Sequence, residues 1–166
     1  MRYKKTIFLG SLFCLLIIIG LSTTILAFTG DVYPNDFKTP KGSLTQGTLD
    51  DFQEKDNDYL RWVGVTYGWF TAEFEVNIYF DEVSNVGTGN TLEWKYMFAG
   101  GGQVEMTITY YDNTQDTHNE VDTDGDYETK TYPIDDNKVV KKINLYNFEW
   151  WAAGALRIDY LAVHYN

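Results

Sequence analysis

Carboxylates and aromatic rings are the side chains with chemical potential in this 166-residue sequence. Nine acids fall between Asp112 and Asp136, against a single base, Lys130. Within that stretch Asp122, Asp124 and Asp126 alternate around Gly125, and Glu128 follows. Alternate carboxylates at a glycine turn can converge oxygens on Ca²⁺, which takes about six to eight of them. Thr131 stands where a helical calcium loop needs its closing bidentate acid, so an EF-hand is excluded. The same residues also read as an Asp-Gly turn in a solvated acidic loop.

The second chemistry is sugar recognition. Trp69 and Tyr79 share an alternation with Glu73, Glu75 and Asn77. An exposed ring stacks on the C–H face of a sugar, while neighbouring carboxylates and amides take its hydroxyls. Trp150 and Trp151 are further candidates, since adjacent strand residues point to opposite faces and one of them should face out unless Glu149–Gly154 is a loop. The competing reading is that each large ring belongs to a core or an interface.

Catalysis has little to start from. His118 and His164 are the only histidines, and they form no metal-binding pair. The lone cysteine, Cys14, lies in the first segment, and no serine sits in a nucleophile elbow. Abundant acids do not by themselves make a glycosidase pair, so we expect no enzyme and assign no catalytic residue.

Strands must position these groups. From Tyr67 to Phe80, Phe70, Ala72, Phe74, Val76, Ile78 and Phe80 fall on one face, with the polar set on the other. Period two over that length predicts a strand with one dry and one wet side. Further strands are expected at Tyr59–Thr66, Thr91–Phe98, Gln103–Tyr111, Tyr127–Ile134, Val139–Phe148 and Ala155–Tyr165. Ser84–Asn90 reads as a hairpin-like break, and Gly100, Gly101 and Gly102 as a turn. No helical stripe follows the first segment, so the chain is expected to be all-β, an antiparallel sandwich or barrel. Residues 28–47 show neither period and contain Pro34, Pro40 and three glycines, which predicts a flexible linker or arm.

The first segment, 1–27, combines Arg2, Lys4 and Lys5 with an apolar run from Ile7 to Leu21 and small residues ending at Ala27. That layout is a secretory signal peptide or a retained membrane anchor. Both readings place the domain at 48–166 outside the membrane, with any membrane contact made through the first segment alone. With three of the 13 basic residues in that segment, 24 acids face 10 bases downstream, a balance of −14. Nucleic acid and anionic lipid require a basic surface, so neither is an expected partner.

The stretches GTLDDFQEKDNDYLRW, LEWKYMF, VEMTITYYD and the closing GALRIDYLAVHY carry a resemblance spanning 47–166. They resemble the galactose-binding-like jelly roll of discoidin domains and carbohydrate-binding modules. The likeness rests mainly on Ile158, Asp159, Tyr160 and Leu161 of the final strand. It implies ligand binding rather than catalysis, and a structural calcium to which the acid of the last strand, Asp159, contributes. If the first and last strands adjoin, Asp50, Asp51, Asp56 and Asp58 could meet Asp159 around that ion. The function expected is a secreted or cell-surface module that binds glycans. The alternative is a surface-layer, adhesion or filament subunit that self-associates, its 28–47 arm adding a strand to a neighbour. The partner is then a glycan in the first case and a cell-surface protein or a second copy in the other.

Overall fold

A computed structural model of the chain describes residues 27–166, apart from Asn57, 68–70, 100–101, 123–124 and 150–154. The expected leader at 1–27 therefore lies almost wholly outside the described residues. Among those described, no helix is long and apolar enough to cross a membrane.

The described chain is built from twelve strands and one short 3-10 turn at Leu49–Phe52. In chain order the strands are β1 (Gly30–Val32), β2 (Pro34–Lys41), β3 (Ser43–Gln46) and β4 (Leu60–Val63). They continue with β5 (Val65–Tyr67), β6 (Thr71–Phe80), β7 (Thr91–Ala99) and β8 (Gly102–Tyr110). The last four are β9 (Gln115–Asp122), β10 (Glu128–Pro133), β11 (Val140–Glu149) and β12 (Ala155–Tyr165). Two six-stranded antiparallel sheets result. The first has the order β10-β7-β12-β4-β3 with β1 added to β12, and the second β2-β6-β11-β8-β9 with β5 added to β6.

Alternation dictates the core. Phe74, Val76, Ile78 and Phe80 of β6 are buried, as the sequence pattern requires, together with Val104, Met106 and Ile108 of β8 and Ile143 and Leu145 of β11. Leu92, Trp94, Tyr96 and Phe98 of β7 and Ile158, Leu161 and Val163 of β12 come from the other sheet into the same cluster. The sandwich interior is thus one layer of interdigitated apolar and aromatic side chains, the usual product of two half-wet sheets.

Three expectations need correction. Residues 28–47 are not an arm: β1 pairs with β12, β2 with β6 and β3 with β4. Their polar sequence hid this because both β2 and β3 take strand geometry from a neighbour's backbone, not from alternation. Second, Tyr67–Phe80 is not one strand, since β5 and the start of β6 pair antiparallel to each other. Third, Ser84–Asn90 does not close a hairpin, because β6 belongs to the second sheet and β7 to the first. Of the glycines expected to turn, Gly102 opens β8, and Gly100 and Gly101 lie outside the described residues. A strand also forms where a loop was expected, at β9, which pairs with β8 from Gly102 to Thr109.

Two glycines permit the chain to change sheets. Gly42 separates β2 from β3 at φ 91°, and a Cβ there would stand 2.6 Å from the Val63 carbonyl oxygen. Gly64 separates β4 from β5, and its Cβ would press on the Glu73 backbone at 3.0 Å. At both corners the chain passes close to a neighbouring strand's backbone, so a side chain at either would have to displace it.

Candidate functional site

The outer face of the second sheet gathers the polar residues. On β6 the positions that alternate with the buried set are Glu73, Glu75, Asn77 and Tyr79. Register then puts Lys142 beside Tyr79, Asn144 beside Asn77 and Tyr146 beside Glu75. On the far side of β11, Thr109, Thr107 and Glu105 continue the same three rows, and Asn119 of β9 follows Glu105. β2 closes the other flank, with Lys38 opposite Asn77 and Lys41 opposite Glu75.

These side chains form one network. Asn144 Nδ2 donates to Glu75 Oε1 and to Asn77 Oδ1, each at 3.1 Å. The Tyr146 hydroxyl donates to Glu73 Oε1 at 3.0 Å, and Lys41 Nζ forms an ion pair with the same oxygen. Lys41 also stands 5.6 Å from the Tyr146 ring centre, and Lys38 stands 5.4 Å from that of Tyr79. An open pocket of about 200 Å³ lies beside this network, lined by Gln103, Glu105, Asn119, Tyr146 and Asn147.

Charge coupling sets the protonation states. The hydrogen bond from Lys41, helped by that from Tyr146, holds the Glu73 carboxyl below its usual range against the opposing effect of burial. The same contact raises Lys41. Burial first, then the Glu73 hydrogen bond, pushes the Tyr146 phenol up. A lowered carboxyl contributes stability that is present above its unfolded pKa and is lost as pH falls through the folded value. A raised lysine contributes below its unfolded pKa and loses that contribution as pH rises through the folded one. Glu73→Gln should therefore melt below the parent at neutral pH, and the gap should close below about pH 4. Thermal melts of both proteins from acid to neutral pH check this; a gap independent of pH would rule out the ion pair as its source.

Of the expected ligand-binding residues, Glu73, Asn77 and Tyr79 share this face, and Glu73 and Asn77 are more buried than a solvated strand side would make them, at 8% and 9%. Trp69, Trp150 and Trp151 lie outside the described residues. Tyr146, Asn144, Glu105, Asn119 and Lys41 were not anticipated. The signal for two of them was present, since Lys142, Asn144 and Tyr146 alternate with Ile143 and Leu145.

The proposed calcium ligands fare differently. Asp124 lies outside the described residues, as does the side chain of Asp122, and Asp126 is exposed. Asp159 does not meet Asp50, Asp51, Asp56 or Asp58. It is fully buried at a β-bulge between Ile158 and Tyr160 and forms an ion pair with Lys95 of β7. Asp50, Asp56 and Asp58 are exposed, while Asp51 accepts from the Thr48 backbone N–H at 2.8 Å and closes a capping box on the 3-10 turn. Among the described residues no three carboxylate or imidazole groups are placed to hold a metal. His164 lies between Asp31 and Glu93, at 2.7 and 3.2 Å, and His118 packs on the Tyr132 ring.

No protein-family model and no curated protein matches the chain. Solved structures do. A family 29 carbohydrate-binding module, CBM29-2, in a variant complexed with cellulohexaose, superposes with a TM-score of 0.53 and 13% identity, covering 86% of this chain and 93% of its own. TmCBM61 in complex with β-1,4-galactotriose gives 0.53 at 8% identity, over 81% of this chain and 91% of the module. A larger protein, PfGH50B, matches at 0.54 and 11% identity, and there this chain spans only 24% of the partner's length. The two-sheet sandwich is the galactose-binding-like jelly roll found in carbohydrate-binding modules of families 29 and 61.

Proposed function

We propose that this chain is a non-catalytic glycan-binding module that works outside the cell membrane. The observation that carries the reading is the polar face of the second sheet. Tyr79 and Tyr146 stand there among Glu73, Glu75, Asn77 and Asn144, beside the pocket lined by Gln103, Glu105 and Asn119. Rings offer a stacking surface for C–H groups, and fixed carboxylates and amides offer partners for hydroxyls. The hydrogen bonds among those polar groups hold them in place before a ligand arrives, which lowers the ordering cost of binding. Trp69, Trp150 and Trp151 belong to the proposed ligand-contacting set.

Similarity of fold to modules of nearly the same length, solved with oligosaccharides, supports the reading. The basic-then-apolar leader supports export. Self-association through a free 28–47 arm loses its motive, because those residues already complete the chain's own sheets.

The test is an oligosaccharide array followed by titration of the best binder. Tyr146→Ala is expected to weaken binding about tenfold or more, about 1.4 kcal/mol. Tyr79→Ala should act in the same direction. A folded parent protein that retains no oligosaccharide from a broad array would remove this reading.

A further inference from the structure

The outer face of the first sheet holds two arginines where repulsion should have kept them apart. Arg61 of β4 and Arg157 of β12 are directly opposed cross-strand partners. Facing residues in an antiparallel pair have Cβ atoms about 5 Å apart, and like charges there destabilise the sheet. The chain carries 24 acids, yet among the described residues neither arginine forms an ion pair. Asp159, two positions along β12, is held by Lys95 instead.

What holds the arginines is neutral. The Arg157 guanidinium lies 4.9 Å from the Tyr59 ring centre, and Arg61 Nη1 donates to Thr45 Oγ1 at 3.2 Å. The Nε atoms of both are buried without an acceptor, and both side chains are half-buried. Tyr127 adds a second ring, 6.4 Å from Tyr59, close enough to Arg157 for the guanidinium to oppose the rise that burial gives its phenol. Two positive groups are thus fixed in place by rings and a hydroxyl, with their charge unanswered among the described residues.

We propose that Arg61 and Arg157 form an oxyanion site that takes the carboxylate of an acidic sugar unit. A guanidinium fork matches a planar carboxylate through two parallel N–H···O bonds, and Arg is the residue suited to that geometry. Tyr59 and Tyr127 place ring surface beside the charges, which a sugar ring can use and a bare anion cannot. The site lies on the opposite sheet from the polar face above and does not depend on glycan binding there.

The experiment titrates the full chain, at low salt, with trigalacturonate, galactotriose and tetraglutamate in parallel. Trigalacturonate should bind, weaken as salt is raised, and lose about tenfold or more in Arg61→Gln and in Arg157→Gln. Arg→Lys at each position keeps the charge but not the fork, and should lose affinity too. Galactotriose, which lacks the carboxylates, should neither bind this site nor displace trigalacturonate from it. The Gln variants relieve a like-charge pair, so their melting midpoints should hold or rise, confirming that they fold. The proposal is overturned if the folded parent shows no saturable uronate binding at millimolar concentration, or if the double Gln variant binds it unchanged. Full affinity in the Lys variants would overturn the fork geometry. Equal binding of tetraglutamate would overturn the assignment to a sugar.

Discussion

Deleting residues 28–47 is expected to abolish cooperative folding instead of releasing a trimmed domain. The segment supplies three strands to two sheets. β1 lies along β12 from Gly30 to Val32, β2 along β6 with Pro34 opposite Phe80 and Lys41 opposite Glu75, and β3 along β4. Its few apolar residues are anchors. Phe37 meets Trp62 edge-on at 5.7 Å, and Leu44 packs against the same core. Pro34 is buried as well. Removing the segment uncovers Trp62, which is 0% exposed and also stacks on Phe52, and strips backbone partners from β4, β6 and β12. A domain's whole net stability is only about 5–15 kcal/mol, and losing the partners of three strands exceeds it. Phe37→Ala is the graded version. For this half-buried ring the cost should fall near or below the lower end of the ~3–5 kcal/mol seen for full phenylalanine truncations in cores. Urea denaturation of both proteins reads the result. A deletion product that melts at the parent's midpoint would show that the segment is dispensable after all.

The second large effect is expected at the Lys95–Asp159 pair. Asp159 is 0% exposed, while the Lys95 side chain is 18% exposed. The lysine also lies 5.1 Å from the Tyr127 ring centre, whose phenol burial pushes up to about 12. Lys95→Met would leave a carboxylate in the sheet without its ammonium. Breaking a buried pair from one side costs about 3–5 kcal/mol, since the remaining charge has no water to turn to. Asp159→Asn should cost less, because Lys95 reaches solvent. The double variant should recover much of the Lys95→Met loss, and a double-mutant cycle isolates the coupling. Additive single effects would mean that the ion pair is not what stabilises the bulge.

The bulge itself explains why Asp159 was misjudged from sequence. In a regular strand, Ile158, Asp159 and Tyr160 would alternate sides, and the resemblance implied that the acid of this last strand holds a calcium. The register shift makes Asp159 the extra residue of the bulge, between Ile158 opposite Tyr96 and Tyr160 opposite Lys95, and only the pairing with β7 reveals that lysine as its partner. The acids at Asp50, Asp51, Asp56 and Asp58 were grouped with it by proximity of strands. Asp51 turned inward to cap the 3-10 turn and the others stayed in solvent.

Local periodicity was enough to place β6, β7, β8, β11 and β12 and most of their buried faces. A side chain's side of a strand depends only on the parity of its position, which any reader of the sequence can count. It was also enough to put Glu73, Asn77 and Tyr79 on one common face. Which strands lie beside that face is a different matter. Tyr146 and Glu105 came to it through cross-strand register, and β2 and β9 became strands because a partner's unpaired N–H and C=O groups demanded them. Parity is a property of the chain alone, whereas pairing is a contest among distant backbones that only the folded sandwich decides.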